Sequence, residues 1–287
     1  MRVAAVQLRC RPDVAGNRAR AAGAVATAAG GGARLVVLPE LFAHLGSGRA
    51  VRELAEPVEG PTVAWAVALA AQHGLHLCVP IAERDGDAVY NTSVLVGPGG
   101  VLARYRKIHL FDVEVPGAGR HESEVFSAGA DCVTAVVEGW RVGLLTCYDL
   151  RFCELSRILA LQGATVLLAP SAFTAATGPD HWELLVRTRA VENGVFVVAP
   201  DQCGTTPDGV ARHGHSLIVD PWGRVLAEAG SDETVISASL DTEAVTRARS
   251  AVPSLANRRP SAYRWPDATG VADGGEGSNG RGATPSG

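Results

Sequence analysis

Short aliphatic runs alternate along this chain with longer amphipathic stretches, and the two periods predict most of the secondary structure. "VAAVQL" (3–8), "RLVVLPE" (34–40) and "LHLCVPI" (75–81) read as strands. Between them, "GNRARAAGAVATAAGGG" (16–32) reads as a helix stopped by glycines. "PTVAWAVALAAQHG" (61–74) has proline in its first turn and glycine at its end, a helix signature. "AVYNTSVLVGPGGVLARYRK" (88–107) predicts two strands around a glycine-rich turn, and "CVTAVVEGWRVGLLTC" (132–147) repeats the design around Glu138-Gly139. The pattern continues with a helix over 153–162, a strand over 164–170 and a helix over 180–194. Asp180 and Glu183 are placed to form a capping box on that last helix, and Asn193-Gly194 to end it. Strands over 195–200, 215–220, 225–230 and 234–240 follow.

Alternating strands and helices predict an α/β fold, but the hairpins do not suit a purely parallel sheet. The pattern is met by one mixed sheet or by two sheets packed face to face with helices outside. "PDATGVADGGEGSNGRGATPSG" (266–287) has almost nothing to bury and reads as a disordered tail, so the folded domain is expected to span 1–265.

Composition narrows the function. With 47% hydrophobic and 20% charged residues, the chain has the makeup of a globular protein with a sizeable core. A net charge of −4 gives no reason to expect nucleic acid or an anionic membrane as partner. Neither a targeting segment nor a membrane span is evident, and six scattered cysteines without a C-x-x-C pair suggest reduced thiols, hence a cytoplasmic protein. His213 and His215 lack a third ligand at sensible spacing, so no metal is expected. Asn91-Thr92-Ser93 matches a glycosylation acceptor, read here as accidental because it lies in an apolar strand.

Three reactive residues share one placement. Glu40 follows "RLVVLP", Lys107 follows "VLARYR" and Cys147 follows "RVGLLT". Loops beyond strand ends are where α/β proteins build sites. If these strands are neighbours, Glu40 can take the thiol proton of Cys147. Lys107 can favour the thiolate and stabilise an oxyanion, with the backbone N–H of Tyr148 as second donor and the next helix dipole in support. Asp149 and Glu154 read as a buried network shaping the turn. Arg151 fits that network and the gripping of a substrate carboxylate equally well.

"LPELF" (38–42), "YRKIHLFDVEVPG" (105–117) and "CYDLRFCEL" (147–155) resemble the three signature blocks of the nitrilase superfamily, the carbon–nitrogen hydrolases. "TGPDHWELLVRTRAVEN" (177–193), "GHSLIVDPWGRVLAEAG" (214–230) and "RRPSAY" (258–263) resemble its Nit branch of ω-amidases and deaminated-glutathione amidases. The resemblance implies an α-β-β-α sandwich with two mixed sheets that forms four layers by dimerising through its helical faces. It implies a Glu-Lys-Cys triad at Glu40, Lys107 and Cys147, and a second active-site glutamate at Glu122. Arg151, Phe173 of "PSAF" and Thr177 are the substrate-binding candidates. No cofactor is implied.

The implied activity is hydrolysis of a small carboxylate-bearing ω-amide, an α-keto acid amide or deaminated glutathione, to acid plus ammonia through a Cys thioester. "PSAF", "DQCG" and "DVEVPG" look nearer the deaminated-glutathione type, whereas "LLVRTRAVEN" and "IHLFD" fit ω-amidases as well. The alternatives are a nitrile or N-carbamoyl hydrolase with the same triad and a catalytically silent dimeric binding protein. Many relatives carry proline where this chain has Cys153, which places a second thiol near the first; a disulfide there needs spatial proximity.

Overall fold

The computed structural model describes residues 1–114 and 120–263. The expected tail, 266–287, and part of the "DVEVPG" stretch lie outside the described residues. The chain divides into a large compact unit, Met1–Leu255, and a terminal unit, Ala256–Gly287. In the terminal unit the described residues form one short 3₁₀ turn, Pro260–Ala262.

The large unit opens with β1 (Arg2–Gln7), α1 (Val14–Gly30), β2 (Leu35–Val37), α2 (Gly48–Leu54), α3 (Pro61–His73), β3 (His76–Asp85), β4 (Ala88–Gly97) and β5 (Gly100–Arg106). Two short strands, β6 (Asp112–Val113) and β7 (Arg120–His121), pair with each other. Then come β8 (Thr134–Val137), β9 (Trp140–Leu144), α4 (Cys153–Leu161), β10 (Val166–Leu168), α5 (Gly178–Asn193) and β11 (Phe196–Ala199). A small hairpin, β12 (Cys203–Thr205) with β13 (Ala211–His213), precedes β14 (Leu217–Val219), β15 (Val225–Glu228), β16 (Thr234–Ser239) and α6 (Thr242–Ala251).

Two six-stranded sheets result, ordered β16-β1-β2-β3-β4-β5 and β15-β14-β11-β10-β9-β8. Where a helix lies between consecutive strands, as in β1–β2–β3 and β9–β10–β11, the pairing is parallel. Where only a tight turn intervenes, as in β3–β4–β5 and β8–β9, it is antiparallel. The β8–β9 turn has positive φ at both Glu138 (50°) and Gly139 (80°), the geometry a two-residue hairpin of right-twisted strands requires.

Strand alternation builds the layers. In β1, Val3 and Ala5 point into the core shared with the second sheet, while Ala4 and Val6 point into the core under α1 and α3. The second sheet is covered on its far side by α4 and α5, whose Leu155, Leu159, Trp182 and Val186 join the shared core. The architecture is the α-β-β-α sandwich with two mixed sheets.

Three local expectations need correction. The helix expected from Asp180 starts at Gly178, with Thr177 in the cap position and Pro179 in the first turn, so Asp180 lies inside the helix and caps nothing. Proline's fixed φ suits that first turn and moved the start upstream. Glu154 is exposed in the first turn of α4 instead of joining a buried network. The chain just after Cys147 is a 3₁₀ turn, Cys147–Arg151, and α4 begins only at Cys153, so the α-helix dipole does not start at the thiol. The short helix α2 and the helix α6 are additions to the elements expected from the sequence.

Candidate active site

Glu40 lies just beyond β2, Lys107 directly after β5 and Cys147 just beyond β9. Two come from the first sheet and one from the second, so the site forms where the facing sheets end. Glu40 is 3% exposed. Its Oε1 accepts from Asn91 Nδ2 (2.7 Å) and Lys107 Nζ (3.0 Å), and its Oε2 accepts from the Ala172 N–H (2.9 Å). The Cys147 thiol lies close enough to the Glu40 carboxylate for each to influence the other's charge, and both line the same cleft. The Glu40 carbonyl is held by Gln202 Nε2 at 2.7 Å, so carboxylate and backbone are both fixed.

Lys107, 1% exposed, places Nζ 2.7 Å from Glu122 Oε2, on the 3₁₀ turn Glu122–Glu124. The same Glu122 oxygen accepts the Phe111 N–H at 2.9 Å. The structure thus brings together all four expected residues, Glu40, Lys107, Cys147 and Glu122.

Cys147 has φ +48°, a left-handed conformation that strains a non-glycine residue. Its surroundings hold it there. Its N–H donates to the Pro170 carbonyl at 3.0 Å. One residue back, Thr146 and Asp149 close a capping box over the 3₁₀ turn. Buried Asp149 also accepts from Tyr105 Oη (2.6 Å) and from the His109 N–H (3.1 Å), and lies 2.7 Å from His109 Nδ1. The shaping role expected for Asp149 is what its contacts show. The Tyr148 N–H opens the same turn, where such groups lack intrahelical partners.

The charges divide in one direction. Burial alone would raise the Glu40 carboxyl, but the Lys107 ammonium and the hydrogen bonds from Lys107, Cys147 and Asn91 outweigh it and hold it below the usual carboxylate range. Burial pushes the Cys147 thiol well up, the Glu40 charge adds to this, and Lys107 only partly opposes it. Burial works against the Lys107 charge, yet Glu122 and Glu40 raise its pKa well above the ordinary lysine value. These directions leave the proton on the Cys147 sulfur, the Glu40 carboxyl ionised and Lys107 charged.

Glu40, Glu122 and Cys147 line a cleft of about 460 Å³ that is open to solvent, with Lys107 buried beside it. Leu41, Leu45 and Phe111 form apolar walls. Tyr148, Phe173, Thr174, Thr177, Arg151 and Arg212 line the remainder. Arg151, Phe173 and Thr177, the substrate-binding candidates, thus share the cleft with the triad. Arg151 lies over the Phe173 ring (5.3 Å) and the Tyr148 ring (5.9 Å), and its two terminal nitrogens are each 3.3 Å from His181 Nδ1. Cys153 is exposed and Cys147 buried, and both are free thiols. Among the described residues no cluster of three or more His, Cys, Asp or Glu side chains is arranged to hold a metal ion.

Four contributors escaped sequence reasoning. Asn91, set aside as an accidental glycosylation match, is fully buried and bonds to Glu40. A polar Asn-Thr-Ser run inside an otherwise apolar strand was the available signal. The Ala172 N–H, Gln202 and Arg212 had none, because their partners are backbone groups or lie far away in sequence.

The profile of the carbon-nitrogen hydrolase family matches residues 2–250. The chain is 40% identical over 266 residues to the ω-amidase NIT2 of Danio rerio, covering 91% of this chain and 96% of the relative. It is 39% identical over 264 residues to the deaminated glutathione amidase of a Synechocystis species, covering 89% and 97%. Among solved structures, Nit3 of Saccharomyces cerevisiae, a member of branch 10 of the nitrilase superfamily, superposes with TM-score 0.80 at 36% identity, covering 88% and 94%. A Glu-to-Gln variant of an amidase from Nesterenkonia sp. AN1, with acrylamide added at its active site cysteine, superposes with TM-score 0.75 at 27% identity, covering 88% and 98%. The match over most of its length, and the shared sandwich, show that this chain belongs to the carbon-nitrogen hydrolase family, in the Nit branch of the nitrilase superfamily.

Proposed function

We propose that this protein is a thiol amidase that hydrolyses a small carboxylate-bearing ω-amide. The observation that carries the reading is a buried thiol beside an ionised carboxylate that is itself paired to a buried lysine, with thiol and carboxylate lining one cleft. As sulfur attacks the amide carbonyl, Glu40 takes the thiol proton and the carbonyl oxygen becomes an oxyanion. Lys107 Nζ and the Tyr148 N–H hold that oxyanion. Collapse breaks the C–N bond, and the proton on Glu40 passes to the leaving ammonia or amine. Water, deprotonated by Glu40, then attacks the thioester and releases acid and thiol. Glu122 keeps Lys107 charged and aimed.

Arg151 supports the choice of substrate. Among the described residues its guanidinium meets aromatic faces and an imidazole nitrogen, not a carboxylate, so its charge remains available to a substrate acid. Phe173 is the platform beneath it, and Thr177 lines the same end of the cleft. The names of the relatives agree with an ω-amide. Exposed Leu184 and Val191 on α5, with Ile158 and Leu161 on α4, form an apolar outer helical face that supports a homodimer. Six free cysteines support a reducing, cytoplasmic location, and among the described residues no helix is long and apolar enough to cross a membrane.

The test is product release from α-ketoglutaramate, α-ketosuccinamate, deaminated glutathione, an aliphatic amide, a nitrile and an N-carbamoyl amino acid. Wild type, Cys147→Ala and Arg151→Gln are run together. The expected result is turnover of a carboxylate-bearing amide, lost in Cys147→Ala, with KM raised about tenfold or more in Arg151→Gln. Turnover of only the nitrile or the carbamoyl compound would replace the amide reading. No turnover, with Cys147 no more reactive toward an electrophile than the other thiols, would favour a silent binding protein.

A further inference from the structure

One wall of the cleft runs from Ala172 to Thr174. A single peptide in it, Ala172–Phe173, is held at both ends by buried ionisable side chains. Arg212 Nη1 donates to the Ala172 carbonyl at 2.8 Å. Asp201 Oδ1 accepts the Phe173 N–H at 2.7 Å. The neighbouring N–H, that of Ala172, is the one that donates to Glu40 Oε2 at 2.9 Å, in the cleft that Cys147 also lines.

Neither clamp is a spare charge. Arg212, 7% exposed, commits Nε to Thr206 Oγ1 (2.9 Å) and Nη2 to the buried Asp208 carboxylate, so its nitrogens serve protein acceptors even though it lines the cleft. That separates it from Arg151. Asp201 is fully buried, its Oδ2 meets no hydrogen-bond partner among the described residues, and burial raises its pKa well above the usual carboxylate value. A neutral acid suits that setting, because it can accept from an N–H without carrying an unpaired charge.

The Ala172 N–H belongs to the preceding peptide, Ser171–Ala172, whose carbonyl accepts from the Glu40 and Gln202 N–H groups, so with the next plane clamped its aim turns only on the two Ala172 dihedrals. We propose that Asp201 and Arg212 are positioning residues for the hydrolysis: gripping both ends of the Ala172–Phe173 peptide, they aim the Ala172 N–H at the Glu40 carboxylate. This rests on the reading of Glu40 as base and Cys147 as nucleophile. Releasing the clamp removes one hydrogen bond that favours ionised Glu40. The Glu40 pKa then rises, and the acid limb of kcat/KM moves to higher pH.

The experiment compares Asp201→Asn, Asp201→Ala and Arg212→Gln in the full chain, using the best amide of the panel across pH, with thermal melting in parallel. Asp201→Asn keeps an oxygen for the Phe173 N–H and is expected to retain wild-type rate and pH profile. Asp201→Ala is expected to lose about 10²-fold in kcat with little change in KM and an upward-shifted acid limb. Arg212→Gln, which keeps a donor for the Ala172 carbonyl, is expected to fall between, with the limb shifted in the same direction. A merely structural role would lower the melting temperature without moving the limb. A folded Asp201→Ala protein with the wild-type limb, or Asn impaired as much as Ala, overturns the proposal. If Asp201→Ala does not fold, the Arg212→Gln profile decides in the same way. Full activity in Cys147→Ala would instead remove the underlying thiol reading.

Discussion

Arg106 and Lys107 are adjacent in the chain, yet they serve two different buried acids. Arg106 turns to Glu83 on β3, whose Oε1 takes Arg104 (3.0 Å) and Arg106 (2.6 Å) and whose Oε2 takes Thr92 (2.6 Å) and Arg106 again (3.0 Å). Lys107 turns the other way, to Glu40 and Glu122. Both clusters bury a carboxylate, and in both cations and hydrogen bonds overcome burial and leave the acid below its usual pKa. What separates them is the company they keep. Glu83 is saturated by donors, and among the described residues none of its cluster lines the cleft at Cys147 and no thiol is among its partners. Glu40 shares its oxygens with a thiol and opens onto the cleft. A perturbed buried acid therefore marks a site only when a reactive group and open space meet it.

The contrast breaks most sharply at the nucleophile. Cys147→Ala is expected to lower kcat/KM about 10⁴-fold or more with the fold intact, measured as product release beside a circular dichroism melt. Residual turnover near wild type would put the chemistry elsewhere. Lys107→Met comes next. It leaves Glu40 and Glu122 without their shared cation, at a cost of about 3–5 kcal/mol in denaturant unfolding together with loss of turnover. A Lys107→Met protein as active as wild type would reduce this cluster to the same class as Glu83.

Glu83→Gln should do the opposite: a stability loss of about 1–3 kcal/mol, with kcat/KM close to wild type in the folded protein. Inactive but folded Glu83→Gln would erase the distinction. The smallest effect is on pH. The folded pKa values of Glu40 and Glu83 lie below their ordinary value of 4.5, so the folded state binds fewer protons than the unfolded chain. Their stabilisation is complete above that value and is lost as pH falls through the lower folded values. Acid melting should steepen below pH 4.5 and be shallower in Glu83→Gln. Equal slopes would mean that Glu83 contributes no linked stability.

What could be read in the chain was local or repetitive. Glu40, Lys107 and Cys147 were visible because each ends an apolar strand, and the Glu138-Gly139 turn because of its glycine and flanking runs. Local signals also misled. Asp180 has the composition of a cap, but Pro179 lets the helix begin earlier. Asn91 matches a three-residue motif, but its amide meets Glu40, 51 positions away. Asp201 lies in "DQCG", noted only for its resemblance, and Arg212 carried no signal; their positioning role was hidden because they bind backbone groups 28 and 40 positions away.

The sequence by itself determined most of the strands and helices and which residues with reactive side chains stand at the strand ends. Those properties follow from side-chain period, turn chemistry and composition, which act over a few residues. Only the tertiary structure decided which strand ends meet, which acid faces the thiol, and that an alanine N–H and a buried asparagine complete the base's surroundings. Hydrogen bonds and charge interactions act through space over a few ångströms, and no local pattern encodes which distant groups the packed sheets will bring within that reach.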